Sequence, residues 1–279
     1  MLRKIIDFVL FSSLFISCCA VLMVYQTMEM VNFKGDLFGL YGFVFFSTIC
    51  SYNSHWYFTP SVKNERIRTL WTQEHRPLQL ALAILGGAGA IYFLPNFLPK
   101  IYWLLPSVLL TFLYTAPKIP LKVFAYLKKV AIGKTIYLAF VWTYVTTIMP
   151  ILLFDVEWTG REYLFSTGRF FYIYAICILF DYRDREQDKI DGIKSLVTYF
   201  EEKGIVRLFI LSLCIFLVTT LMLAFFSVEK WQILVMIIPG ILLAILFPIA
   251  RRNFSDYLYY LVLDGLMMFS ALCTVLLSI

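Results

Sequence analysis

Hydrophobic residues along this chain gather into nine long apolar runs, at about 5–26, 37–58, 78–98, 101–117, 131–154, 166–182, 206–227, 230–249 and 256–278, and most charged residues fall between them. Each run is close to the ~20 residues that carry an α-helix across the hydrocarbon core of a bilayer. The pattern therefore predicts an all-α polytopic membrane protein, a nine-transmembrane-helix bundle forming a single integral-membrane domain over residues 1–279. A mean hydropathy of +0.80 and 18% aromatic residues agree with that class.

Lysine and arginine collect on alternate connections. Of the 24 basic residues all but Lys34, Lys100, Arg161, Arg169 and Lys230 lie on one side. The positive-inside rule makes that side cytoplasmic, together with the N-terminus and the segment 181–195, and turns the C-terminus outward. The expected location is the bacterial inner (plasma) membrane. The net charge of +6 then reflects topology and contact with the lipid bilayer; no basic stripe points to nucleic acid. Cys18, Cys19, Cys50, Cys177, Cys214 and Cys273 all lie in apolar runs without metal-ligand spacing, and read as packing residues. The first run reads as a retained helix, because no A-x-A site follows it and eight further spans do.

Several polar features interrupt the pattern. The second run carries Ser47, Thr48, Ser51, Tyr52, Asn53, Ser54 and His55 towards its cytoplasmic end, which belong inside a bundle or on a water-filled cavity. The connection Thr59 to Pro77 holds Arg66, Arg68, His75 and Arg76, and reads either as a solvated loop at lipid headgroups or as a cationic lid over an anionic substrate. Gly86, Gly87 and Gly89 allow another helix to come close. The lysines from Lys118 to Lys129 read singly as ordinary positive-inside residues. Asp264 lies well inside the last run, as a functional carboxylate or as one paired with another helix.

The densest charge is the stretch Asp181-Tyr-Arg-Asp-Arg-Glu-Gln-Asp-Lys-Ile-Asp-Gly-Ile-Lys-Ser195. Continued as a helix from the run before it, this stretch puts Asp181, Asp184, Asp188 and Asp191 on one face. Like charges so spaced repel unless something positive sits between them, and a divalent cation is a candidate. Salt bridging within the helix is the alternative, pairing Asp181 with Arg185, Glu186 with Lys189 and Asp191 with Lys194 while leaving Asp184 and Asp188 unpaired. Carboxylates beside two basic loops describe a site for a metal-bridged diphosphate, with Mg2+ as the oxygen-preferring cofactor.

Residues 181–196 resemble the second aspartate-rich motif of the UbiA superfamily of intramembrane prenyltransferases, including the Gly-Ile-Lys-Ser that follows the acids. Tyr114-Thr-Ala-Pro with Leu121-Lys122, and Arg76-Pro77, resemble two further family stretches. The resemblance covers essentially the whole chain. It implies a helical bundle around a central cavity, in which an isoprenoid diphosphate loses its diphosphate to Mg2+ and the allylic cation alkylates a hydrophobic acceptor, aromatic or lipid. It implies Asp184 and Asp188 as metal ligands with Asp181 as a third. Lys122 and Lys194 would bind diphosphate, Tyr114 would face the cation, and Asn53 and Arg76 would belong to the substrate site.

The family's first motif, Asn-Asp-x-x-Asp-x-x-x-Asp, corresponds here to Asn53 through Ser61, with Ser54, Tyr57 and Ser61 in place of the three aspartates. Two readings follow. One is a prenyltransferase with one Mg2+ on the second motif, helped by His55, Glu65 or Glu74. The other is a relative that binds an isoprenoid or lipid without transferring it. A transporter would rest on Asp264 and the loop carboxylates, but inverted repeats are not visible.

Overall fold

The structure is a computed structural model and describes residues 1–59, 66–119, 134–190 and 196–277. It is all-α, with no strand among the described residues. In chain order the helices are α1 (Leu2–Phe11), α2 (Leu14–Met30), α3 (Phe38–Tyr57), α4 (Ile67–Glu74), α5 (Arg76–Phe93) and α6 (Ile101–Thr115). They continue as α7 (Lys134–Thr143), α8 (Met149–Leu153), α9 (Gly160–Ile190), α10 (Leu196–Tyr199), α11 (Glu202–Met222), α12 (Lys230–Ala250) and α13 (Asp264–Leu277).

Among the described residues six helical segments are long and apolar enough to cross a membrane, and α1 with α2 makes a seventh, bent by 58°. The difference from nine apolar runs has physical sources. The C-terminal half of α3 is polar, which lowers its hydropathy. The first run breaks at Ser12 and Ser13, where Ser13 takes a left-handed φ of 67°. Runs three and four form one helical stretch, Arg76–Thr115, of 40 residues.

That stretch, about 60 Å if straight, folds back on itself. Gly86 faces Cys50, Gly89 faces Phe46, Phe93 faces Gly42 and Asn96 faces Gly39, so α5 runs antiparallel to α3. At the far end Tyr114 stacks on His55, and Arg76 donates to Tyr57 O. Arg76 and Tyr114 thus stand at the same end of α3. The 3-10 turn Leu94–Lys100, with Pro95 and Pro99, closes the hairpin. A Cβ at Gly86 would lie 2.6 Å from Cys50 N and 2.8 Å from Phe46 O, so the two backbones meet where only glycine fits.

The helix α9 is surrounded on all sides. Ile173, Ala175, Ile176, Ile178 and Leu179 are fully buried, with α7, α11 and α12 packed around them. α9 runs on without a break into the aspartates, as expected from the sequence, and begins at Gly160, before the expected run at 166–182. Arg169, assigned by the charge pattern to the outer side, is buried within the helix. Its Nη1 donates to Met23 O and Thr27 Oγ1, each at 2.7 Å, and to Thr147 Oγ1 at 3.2 Å, and its Nη2 donates to Gln26 Oε1 at 2.6 Å. Polar side chains of α2 and of the π-turn Tyr144–Ile148 thereby satisfy a charge that lipid would not.

Candidate functional site

A cavity of about 910 Å3 is walled by α1 to α4, α6, α7, α9 and the C-terminal helix. One part of its wall is apolar, including Phe43, Val44, Leu138, Val145, Met149 and Met267. The other carries Asp181, Asp184 and Asp188 together with Arg66, Arg68, Lys118 and Lys134. The volume suits an elongated ligand with an apolar body and a charged end.

The helix α9 turns Asp181, Asp184 and Asp188 to this wall because its 3.6-residue repeat stacks steps of three and four. Each is met by a cation. Lys134 Nζ, at the start of α7, lies 3.6 Å from Asp181 Oδ1 and 3.2 Å from Asp188 Oδ2. Thr135 Oγ1 donates to Asp181 Oδ2. Asp184 Oδ1 accepts from Arg66 Nη1 and, at 3.1 Å, from Arg183 Nε. Arg183 in turn reaches Tyr260 OH at 3.1 Å and Asp256 Oδ1 at 3.5 Å, with its guanidinium 4.5 Å from the Tyr259 ring centroid. Of the pairs expected along the helix, Glu186 with Lys189 forms at 2.8 Å. Asp181 pairs with Lys134 rather than Arg185, whose Nη2 donates to Phe200 O.

The connection after α3 supplies cations to the cavity. Helix α4 buries Arg68, whose backbone N–H donates to Asp256 Oδ2 and whose Nη1 donates to Leu10 O, both at 2.9 Å. Arg66 and Arg68 therefore stand on the cavity wall, whereas His75 and Arg76 of the same connection do not line it. Lys118 Nζ donates to Thr59 Oγ1 at 2.7 Å and lies 5.4 Å from the Trp56 ring centroid. Burial pushes its ammonium down to about 7, and Lys134 and Arg68 act in the same direction against Asp184 and Asp188. Sequence reading missed Lys118. Its position four residues after Tyr114, on the same helical face, is the signal that points to it.

The expected substrate contacts divide. Tyr114 lines the cavity, but one face of its ring is stacked on His55, with centroids 4.8 Å apart. Asn53 and Arg76 do not line it. Asn53 is fully buried, and its Nδ2 donates to Ser12 O and Ile49 O, each at 2.9 Å. Arg76 is exposed and grips Tyr57 O. Both serve backbone carbonyls, a demand that motif spacing does not reveal. Lys122, Lys194, Asp191, Ser61 and Glu65 lie outside the described residues.

Mg2+ takes an octahedral oxygen shell at about 2.1 Å, from one or two carboxylates plus phosphate and water. Here the position between Asp181 and Asp188 is filled by an ammonium, and Asp184 is held by two guanidiniums. Among the described residues no group of three His, Cys, Asp or Glu side chains is arranged to hold a metal. The Mg2+ centre expected on Asp181, Asp184 and Asp188 does not fit this arrangement. Asp264, buried on α13 directly after the π-turn Leu258–Leu263, also faces the cavity and has no salt bridge to either cluster among the described residues.

An all-α membrane protein with a cavity lined in part by apolar side chains and in part by interleaved carboxylates and cations is the class that fold and site define. The chain belongs to the UbiA prenyltransferase family, whose model matches residues 15–257. That span includes Arg68, Lys118, Lys134 and the α9 aspartates. No match was found among curated proteins or among solved structures.

Proposed function

We propose that the protein is an intramembrane prenyltransferase that takes an isoprenoid diphosphate and transfers its prenyl group to an aromatic or lipid acceptor. The observation that carries this reading is the two-part cavity, apolar along one part and lined at the other by Lys118, Arg68 and the α9 aspartates. The proposed setting is a nine-crossing bundle in a bacterial inner membrane. In it α1 with α2, α3, α5, α6, α7 with α8, α9, α11, α12 and α13 each cross, and the charged end of the cavity is cytoplasmic.

In this reading the allylic C–O bond breaks and its electron pair leaves with the diphosphate, whose charge Lys118 and Arg68 meet. The acceptor provides the electron pair for the new bond and gives up a proton, for which Asp264 is the cavity carboxylate outside both ion clusters. The second reading, an isoprenoid-binding relative without transfer, is favoured by Ser54 and Tyr57 standing where the family motif has acids.

The test is diphosphate release by purified protein given polyprenyl diphosphates of several lengths, a panel of phenolic and lipid acceptors, and Mg2+. Release that is lost in Lys118→Met supports transfer. Binding of a non-hydrolysable analogue without release selects the second reading, and neither binding nor release overturns both.

A further inference from the structure

The α9 aspartates already possess a counter-cation, and it belongs to the chain. Lys134 Nζ sits between Asp181 and Asp188, and both aspartate side chains are more than nine-tenths buried. The next residue, Thr135, gives its hydroxyl to Asp181. Both belong to α7. The opposite wall shows a matching change. Where acids would help hold a second ion, the end of α3 carries Ser54 and Tyr57, and the cavity is faced instead by Arg66, Arg68 and Lys118. By formal count the described wall has five cationic side chains and five carboxylates.

We propose that Lys134 is a built-in counter-cation occupying the place of a divalent ion between Asp181 and Asp188, so that this cavity receives an anionic headgroup without divalent metal. A tethered ammonium offsets one of the two carboxylate charges at fixed stoichiometry and cannot be chelated away. It also lacks the open coordination positions through which a metal grips phosphate. The headgroup is therefore left to direct contact with Lys118 and Arg68. Only this last part rests on the isoprenoid-diphosphate reading above.

Electron paramagnetic resonance of Mn2+ added to the purified protein tests the first part. The wild type is expected to hold no Mn2+ at this site. Lys134→Gln opens the carboxylate pair and should bind Mn2+, raising its melting temperature by about 5 °C at saturation, whereas Lys134→Arg should behave as the wild type. Mn2+ held by the wild type and lost in Asp181→Asn would overturn the proposal, and this measurement decides even if Lys134→Gln does not accumulate. The headgroup part is read from the affinity for farnesyl S-thiolodiphosphate, expected to agree within about twofold in EDTA and in Mg2+. A gain of about tenfold or more with Mg2+ would sink it. If the analogue binds in neither condition, the isoprenoid reading fails while the Mn2+ results still decide the role of Lys134.

Discussion

The guanidinium carbon of Arg68 lies 4.4 Å from the centroid of the Trp56 ring. The same side chain donates to Leu10 O, so one residue of α4 ties α1 to the end of α3. Arg68→Lys keeps the charge but loses the planar fork and most of the stacking. It should cost about 2–3 kcal/mol, from an unmet carbonyl and a lost desolvated cation–π contact, measured as thermal unfolding in detergent.

Asp184 accepts from both Arg66 and Arg183. Asp184→Asn leaves Arg66 without its carboxylate and Arg183 with Asp256 alone. Because the side chain of Asp184 is 28% exposed, the expected loss is about 1–2 kcal/mol rather than the full cost of an orphaned buried charge. Diphosphate release should fall by a smaller factor than in Lys118→Met, because Asp184 holds Arg66 and Arg183 rather than Lys118 and Arg68. Parallel unfolding and release measurements separate the two effects.

Lys118 gives the site a pH dependence. Its ammonium titrates near 7 rather than at the ordinary 10.5, so between those values the unfolded chain binds a proton that the folded chain does not. Folding stability therefore rises with pH across that window. Anion binding has the opposite sign, because a bound diphosphate favours the charged lysine and draws a proton in. Affinity for a diphosphate analogue should fall as pH rises from about 7, by at most about tenfold per unit. Lys118→Arg should flatten the curve, with binding followed at constant ionic strength.

Gly86 and Gly87 are neighbours with different surroundings. Gly86→Ala drives a methyl into the backbone of α3 and should cost about 1–3 kcal/mol. Gly87→Ala meets only Cys50 Sγ, at 3.6 Å, and should be close to neutral. Melting temperatures of the two variants in one detergent check the contrast.

Arg169→Leu removes the donors that serve Gln26, Thr27, Thr147 and the carbonyl of Met23. Several buried acceptors lose a partner at once, for an expected cost of about 3 kcal/mol or more. Thermal unfolding of the variant measures it.

Helices were legible in the sequence wherever an apolar run had spanning length, because apolar length alone fixes a membrane helix. The shared face of Asp181, Asp184 and Asp188 was legible for a similar reason, since steps of three and four survive any packing around an unbroken helix. Their counter-ions were not. Lys134 and Arg66 sit on other elements, and nothing in local spacing separates a cavity cation from the many lysines and arginines that set topology. The break at Ser12 and Ser13 was hidden because no proline or glycine marks it. Asn53 and Arg76 matched a family pattern by position, yet a tertiary demand for carbonyl partners claimed their side chains.

The bend in the first crossing has a consequence for how the chain is assembled. The carbonyls of Leu10 and Ser12 accept from Arg68 and Asn53, which lie 58 and 41 residues further on. A segment entering the bilayer before those residues are made has no protein donor for these carbonyls except its own helix. The 58° bend therefore depends on donors that come from α3 and α4 and not from the first segment itself.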